Sequence, residues 1–177
     1  MGFRNKKEWE INNKKVYMAG KLFSEADINQ RLLEFDRLEA AGKNWGLDLD
    51  IFTPIKAPQN DKSLLPTSED IFVGDEEELM VAGVVFADLA DQDPGVMMEL
   101  GMVIHKDTKI YPYLSDIRIG TSGKYEGNRI PFGYNQFVIG GLEIYGNKVY
   151  PSFNDALDAF IEEHEIVIEK KKNKRSY

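Results

Sequence analysis

Two acidic residues lie six positions apart near the middle of the chain, where an apolar stretch ends in a turn and a helix begins. Asp93 comes just before Pro94, and Glu99 is the one charged residue of the apolar segment that follows. A carboxylate held against the anomeric carbon of a sugar can trap developing oxocarbenium character as a covalent ester, while a second carboxyl group protonates the leaving group. The pair therefore predicts glycosyl-transfer chemistry.

Each candidate residue also has an ordinary structural interpretation. Asp93 is a good helix N-cap ahead of a proline, and Glu99 fits the polar face of a surface helix. If Glu99 is instead buried among its apolar neighbours, its pKa rises above the usual carboxyl value. Asp75 opens an acidic run, 75–78, of the kind that usually faces solvent, and a tyrosine such as Tyr17 on a short apolar strand usually belongs to the core. No single one of these residues decides the function.

The composition excludes several classes of function. The chain has 177 residues, of which 42% are hydrophobic, enough for one sizeable core in a single domain. Its formal charge of -8 disfavours a nucleic-acid polymer as partner, since such binding relies on lysine and arginine. The absence of cysteine excludes disulfides, thiolate metal sites and cysteine nucleophiles. His105 and His164 are too far apart in sequence to suggest a metal site.

No segment of the sequence predicts membrane insertion or export. No apolar run approaches the ~20 residues of a membrane helix, and residues 1–10 lack the apolar centre of a signal peptide. We therefore expect a cytoplasmic protein with no membrane association. Glycosyl transfer through a pair of carboxyl groups needs no metal or organic cofactor, so none is expected.

Strands and helices alternate along the sequence. Residues 1–14 are polar and charged and are expected to form a loosely ordered lead-in, so that the domain spans 15–177. Strands are predicted at 15–20, 49–53, 83–89 and 109–114, with two shorter strands at 136–139 and 142–145. Helices are predicted from Ser24 to Gly42, from Thr67 or Ser68 to about Ala82, from Asp93 and Pro94 onward, and over 152–163. A glycine-rich loop, 116–133, is longer than a simple connection requires.

This order of elements predicts an α/β fold. The expected architecture is a single-domain, doubly wound sandwich of the flavodoxin or Rossmann type, with a mostly parallel sheet and helices on both faces. In such folds ligands bind beyond the carboxyl ends of the strands. Tyr17, Pro54, the 88–93 turn and the 116–133 loop all lie at such ends, so we expect them to converge on one crevice.

Three segments, together with the C-terminal Tyr177, resemble the nucleoside 2-deoxyribosyltransferase family. The segments are VYMAGKLF at 16–23, DEEELMVAGVVFADL at 75–89 and DPGVMMELG at 93–101. The resemblance extends over most of the chain from about residue 15, with the pieces in the family's order and spacing. It implies transfer of a 2-deoxyribosyl group between purine and pyrimidine bases by a retaining double displacement, with slow hydrolysis when no acceptor base is present.

The resemblance also implies roles for individual residues. Glu99 would be the nucleophile that receives the deoxyribosyl group, and Tyr17 would hydrogen-bond to it and orient it. Asp75 and Asp93 would transfer a proton to and from the base and hold the sugar. The other implied substrate contacts are Phe23 and Gln59 around the base, the terminal carboxylate of Tyr177, and Asn135, which would reach a neighbouring subunit's site.

The expected partners are deoxynucleosides and free nucleobases, and the resemblance implies a homo-oligomer with shared active sites. Two alternatives remain open at this point. One is a 2'-deoxynucleoside 5'-monophosphate N-glycosidase, which must hold a phosphate. The first loop, at 20–24, fits that activity poorly because it is bulky and only modestly basic. The other is a non-catalytic nucleotide-sensing module on the same scaffold, since a fold does not fix a function.

Overall fold

The computed structural model describes residues 15–116, 124–125, 128–129 and 134–174, with side chains described within 15–116 and 134–163. The predicted lead-in at 1–14 lies outside these ranges. The strands are β1 (Lys15–Ala19), β2 (Asp50–Phe52), β3 (Val84–Asp88), β4 (Lys109–Tyr113), β5 (Lys124–Tyr125) and β6 (Asn128–Arg129). The helices are α1 (Glu25–Asn44), α2 (Ser68–Val81), α3 (Pro94–Val103), α4 (Gln136–Ile144) and α5 (Phe153–Lys174).

Four strands form one parallel sheet in the order β2-β1-β3-β4. Tyr17 in β1 is in register with Phe52 in β2 and with Val85 in β3. The chain leaves β1 towards β2 on one side and leaves β3 towards β4 on the other, so a crevice opens between β1 and β3 beyond their carboxyl ends. The α/β class and the parallel sheet are confirmed, and the four longer predicted strands are found within one or two residues of their expected bounds.

Alternate residues of the central strands pack into two separate cores. Tyr17, Val85 and Ile110 face α2, α3 and α4, whereas Val16 and Phe86 face α1 and α5. All five side chains are at most 1% exposed. The helices therefore cover both faces of the sheet, and β3 reads as a continuous apolar run because it is buried on both sides.

Capping side chains determine where two of the helices begin. The Ser24 hydroxyl accepts the Asp27 backbone N–H, and the Asp27 carboxylate in turn accepts the Ser24 backbone N–H. Thr67 and Asp70 make the same reciprocal pair at the start of α2. Such a capping box satisfies two otherwise unpaired donors of the first turn. The predicted helix starts at Ser24 and at Thr67 are confirmed.

The two short strands predicted at 136–139 and 142–145 are wrong, because this segment forms helix α4. Ile139 and Leu142, which lie three residues apart, are buried, and this spacing belongs to a helix face. Asn135 caps the helix by accepting the Phe137 N–H at 3.0 Å. Gly140 and Gly141, which lie between the two predicted strands, are accommodated within the helix.

The remaining segments differ in extent from their predictions. Within the loop predicted at 116–133, β5 and β6 pair as a short antiparallel ribbon, and the rest of the loop after residue 116 lies outside the described residues. Helix α5 continues to Lys174, beyond its predicted end at 163. No helix in the described part of the chain is both long and apolar enough to cross a membrane.

We expect Leu38→Ala to destabilise the protein by about 2–5 kcal/mol, because Leu38 is fully buried between α1 and the sheet and its removal leaves a cavity. Leu33→Ala is the matched control, since Leu33 lies on the same helix but is 44% exposed. Its effect is expected to stay within about 0.5 kcal/mol. Urea unfolding measures both, and equal losses in the two variants would contradict the packing of α1.

Candidate active site

A hydrogen bond between Tyr17 and Glu99 lies at the centre of the candidate site. The Tyr17 hydroxyl donates to Glu99 Oε1 over 2.5 Å, which is within the short range expected for a hydroxyl bound to a carboxylate. Tyr17 is fully buried on β1, and its ring stacks on that of Phe52 with 5.3 Å between centroids. Glu99 lies on α3, so the bond joins the strand and the helix that border the crevice.

Both groups of this pair have displaced pKa values. Burial raises the pKa of Glu99 to about 7, with the nearby Asp75 and Asp93 carboxylates adding to the rise and the Tyr17 hydrogen bond opposing it. Burial and the adjacent Glu99 charge raise the pKa of Tyr17 far above its usual value. Tyr17 therefore keeps its proton at neutral pH and acts as a donor, while Glu99 exchanges its proton near neutrality.

Asp75 is the second carboxyl group of the site and is held by two amides. Its Oδ1 accepts a hydrogen bond from Gln59 Nε2 at 3.0 Å and a longer one from Asn60 Nδ2 at 3.3 Å. Burial raises the pKa of Asp75, and the two amide hydrogen bonds oppose that rise. Asp75 therefore retains its proton to higher pH than an exposed aspartate, in an orientation fixed by Gln59 and Asn60.

Gly74 makes the contact between Gln59 and Asp75 possible. A Cβ at this position would lie 2.7 Å from Gln59 Nε2 and 2.8 Å from its Cδ, closer than real Cβ atoms come to such groups. Gln59 therefore lies flat against the backbone of α2. The glycine next to Asp75 is explained by this close approach and not by the geometry of the helix.

Asp93 lies at the N-terminus of α3, where its Oδ1 accepts the Val96 N–H at 3.0 Å. It is 9% exposed, and its charge is close enough to Glu99 to raise the pKa of that residue. The preceding turn contains Asp91 and Gln92 with φ values of 58° and 52°. Asp93 is thus a helix cap whose charge lies near Glu99.

A cavity of about 290 Å³ opens above these carboxylates, between α2 and α3. Its polar floor consists of Tyr17, Glu99 and Asp75, and its walls are mostly apolar. The wall residues are Ile71, Phe72 and Leu79 from α2 and Met98 and Met102 from α3. Such a combination of apolar walls with a few convergent polar groups is typical of a small-molecule site.

Several residues predicted for the site are not found in this cavity. Phe23 is 83% exposed in the loop after β1, and Asn135 is exposed at the start of α4. Tyr177 lies outside the described residues. The structure therefore brings together Tyr17, Glu99 and the Gln59–Asp75 pair, with Asp93 nearby. The roles of all the predicted site residues stay predictions.

Sequence reasoning missed Asn60 and the apolar walls of the cavity. Asn60 follows Gln59 in a polar loop, and nothing in the sequence shows that Asp75 faces this loop. The role of the Asn60 amide is therefore visible only in the structure. Phe72 and Met98 remain 42% and 56% exposed, which for large apolar side chains marks the mouth of a binding site. Among the described residues, no three histidine, aspartate or glutamate side chains are placed to hold a metal ion.

Comparison with known families gives a match to most of the chain. The family model described as nucleoside 2-deoxyribosyltransferase matches residues 16–144, which include Tyr17, Gln59, Asp75, Asp93 and Glu99. No curated protein matches the sequence at a significant level.

Three solved structures resemble this fold. A conserved protein from Enterococcus faecalis V583 is 25% identical over 81% of this chain and 94% of its own, with a TM-score of 0.65. The 2-deoxyribosyltransferase of Bacillus psychrosaccharolyticus is 18% identical over 81% and 90% of the two chains, with a TM-score of 0.54. The enzyme of the same name from Leishmania mexicana is 19% identical over 85% and 98%, with a TM-score of 0.56. At these identities the last two structures show a shared fold.

The raised pKa of Glu99 predicts a pH-dependent cost in stability. Because the folded pKa of about 7 exceeds the ordinary value of 4.5, folding is favoured while the group is protonated below pH 4.5. That contribution is lost as the pH rises to about 7, by up to roughly 3 kcal/mol. Glu99→Gln cannot ionise, so it is expected to gain stability relative to the natural protein between pH 4.5 and pH 8. Urea unfolding at both pH values measures the gain.

Glu77→Gln is the control for this experiment, because Glu77 is exposed on α2. It is expected to show no comparable change between the two pH values. A Glu99→Gln stability difference that is the same at pH 4.5 and at pH 8 would show that Glu99 is not desolvated.

Proposed function

Because the chain belongs to the nucleoside 2-deoxyribosyltransferase family, we propose that it transfers a 2-deoxyribosyl group from one nucleobase to another through a covalent ester on Glu99. The observation that supports this proposal most directly is the 2.5 Å hydrogen bond from Tyr17 to Glu99 on the floor of the cavity. A carboxylate that is fixed in orientation, largely desolvated and next to further carboxyl groups has the properties that a glycosyl nucleophile requires.

The first half-reaction uses Glu99 in its ionised form. A Glu99 carboxylate oxygen bonds to C1' of the deoxynucleoside as the C1'–N bond to the base breaks. The departing base receives a proton from Asp75, whose raised pKa lets it keep that proton to a higher pH than an exposed aspartate would. Tyr17 stays protonated and fixes the orientation of the Glu99 carboxylate through its hydrogen bond.

The second half-reaction reverses the first with a different base. A nitrogen of the incoming base attacks C1', the ester bond to Glu99 breaks, and the base returns a proton to Asp75. Two inversions at C1' give net retention of configuration and ping-pong kinetics. When no base is present, water attacks the ester and releases 2-deoxyribose slowly. In this proposal Asp93 and the terminal carboxylate of Tyr177 hold the sugar, and Phe23 and Gln59 contact the base.

The charge distribution at the strand ends supports a nucleoside substrate over its 5'-monophosphate. Lys21, the basic residue of the first loop, is already paired with Asp27 at 3.2 Å and with Asp91. The N-termini of α1 and α3, where a phosphate would bind, are capped by the side chains of Ser24 and Asp93. A 5'-phosphate would therefore meet carboxylates and a lysine that is neutralised.

We propose in addition that the protein forms a homo-oligomer with shared sites. The surface between α3 and α4 is an apolar groove of about 660 Å³. Phe137 and Ile144 on this surface are 89% and 59% exposed, which is unusual for large apolar residues on a monomer. Asn135 lies beside Phe137, so a subunit docked on this surface is the one that Asn135 reaches. A cytoplasmic location and the lack of a cofactor stay predictions of the sequence.

Phe137→Asp is expected to dissociate the oligomer, because it places a charge in an apolar interface, and light scattering after size exclusion measures the mass. Leu33→Asp on the opposite face is the control, since Leu33 is also partly exposed. If sites are shared, mixing the inactive Glu99→Ala and Asn135→Ala proteins restores some exchange activity. A natural protein that runs as a monomer would exclude this part of the proposal.

The transfer itself is tested by incubating a deoxynucleoside with a different free base and measuring the exchanged nucleoside. Glu99→Ala is expected to lower the exchange rate by roughly 10³-fold or more, because the nucleophile is lost. Glu77→Ala is the control, and it is expected to leave the rate unchanged. Intact-mass measurement without acceptor base is expected to show a deoxyribosyl adduct on the natural protein and none on Glu99→Ala.

The outcomes of this experiment separate the candidate functions. Release of base from a deoxynucleoside 5'-monophosphate, faster than from the nucleoside and without exchange, would identify the N-glycosidase. Tight binding of a nucleotide without turnover would identify the sensing module. Undiminished exchange by Glu99→Ala would refute the covalent mechanism.

A further inference from the structure

Arg31 on α1 occupies an unusual position for a charged residue, because only 3% of its surface is exposed. Its Nη2 lies 2.9 Å from Asp88 Oδ2 and 3.0 Å from Glu34 Oε1. Its Nη1 donates to the Tyr113 hydroxyl at 2.9 Å. The guanidinium is therefore held by partners on α1, at the end of β3 and at the end of β4.

The same side chain also packs on the residue that follows β1. A Cβ at Gly20 would lie 2.3 Å from Arg31 Nη1 and 2.7 Å from its Cδ, so the backbone at this position has no room for a side chain. Gly20 follows β1, Asp88 ends β3 and Tyr113 ends β4. One arginine side chain thus contacts the carboxyl ends of β1, β3 and β4, and the crevice opens between the first two of these strands.

Asp88 connects Arg31 to the turn that leads into α3. While Oδ2 of Asp88 pairs with Arg31, its Oδ1 accepts the Ala90 backbone N–H at 2.9 Å. The turn then passes through Asp91 and Gln92 in left-handed conformations. Residues other than glycine keep such conformations only where their surroundings impose them. The buried Arg31–Asp88 pair is one of the contacts that impose this turn.

We propose that Arg31 is a positioning residue for the deoxyribosyl transfer: through Asp88 and the 89–92 turn it fixes where α3 begins, and hence where Glu99 lies relative to Tyr17. This inference rests on the proposed function. Arg31 does not line the cavity above Glu99, so its effect is on geometry and not on substrate contact. Misplacement of a catalytic group by about 1 Å costs on the order of 10²-fold in rate.

Glu34 provides a contrast within the same cluster of buried charges. It is 1% exposed, and its carboxylate accepts hydrogen bonds from Gln30, Arg31 and Tyr113. These partners lie on α1 and β4, whereas Asp88 contacts the turn. Removing the charge of Glu34 takes away a partner of Arg31 on α1 but leaves the Arg31–Asp88 pair in place. Removing the charge of Asp88 weakens the pair that reaches the start of α3.

The experiment compares Arg31→Lys and Asp88→Asn with Glu34→Gln. A lysine keeps the positive charge but cannot bridge Asp88 and Tyr113 together, because it lacks the planar fork of donors. Arg37→Lys is the matched control, as Arg37 is an exposed arginine on the same helix that donates to Asn154. The kinetics of base exchange, the stability to urea and the hydrogen exchange of backbone amides are measured for each variant.

Arg31→Lys and Asp88→Asn are expected to lower kcat per folded molecule by roughly 10- to 100-fold with KM little changed. In both, the amides of Ala90 and Val96 are expected to exchange faster with solvent. Glu34→Gln is expected to lose stability and to keep its kcat, and Arg37→Lys to change neither. If Arg31→Lys does not fold, the comparison of Asp88→Asn with Glu34→Gln decides.

Two results would overturn the inference. One is a kcat for Asp88→Asn equal to that of the natural protein. The other is a loss of kcat in Glu34→Gln as large as in Asp88→Asn, because it would indicate that the cluster is purely structural. If the natural protein catalyses no exchange, the proposed function fails instead. The protection of the Ala90 and Val96 amides in the two variants then still shows whether the Arg31–Asp88 pair holds the start of α3.

Discussion

The candidate site depends on a carboxylate and a tyrosine sharing a space from which water is largely removed. Burial raises the pKa of Glu99 to about 7, while Tyr17 keeps its proton and donates it in a hydrogen bond to that carboxylate. The bond joins residues 82 positions apart. It therefore requires the parallel pairing of β1 with β3, since that pairing places the end of β1 beside the turn into α3.

Much of this framework is readable from the sequence because it follows from local signals. The side chains of Ser24 and Thr67 act as helix caps, and the apolar run at 83–89 forms a strand that is buried on both faces. The apolar neighbours of Glu99 indicated burial, and the structure gives that residue a raised pKa. Asp93, which the sequence alone favoured as a helix cap, does cap α3, and its role in the site stays a prediction.

Contacts between distant segments could not be predicted in the same way. From the sequence, Arg31 and Glu34 look like surface residues of α1, because a buried charge is tolerated only when it has partners. Their partners, Asp88 and Tyr113, come from other elements of the fold, so the sequence does not reveal them. The strands predicted at 136–139 and 142–145 were wrong, because a sequence does not show that Gly140 and Gly141 lie within one continuous helix. In α4 a Cβ at either position would meet nothing within 4 Å.

The separate packing layers on the two faces of the sheet have a practical consequence for directed evolution. Along β1 the side chains alternate, so Tyr17 belongs to the pocket layer while Val16 and Met18 belong to the layer of α1 and α5. Substitutions in the apolar core of the α1–α5 layer that raise thermal stability can therefore accumulate without changing the shape of the pocket. Gly20 is an exception, because Arg31 from α1 packs directly against its backbone. A substitution there would disturb the chain that follows Tyr17.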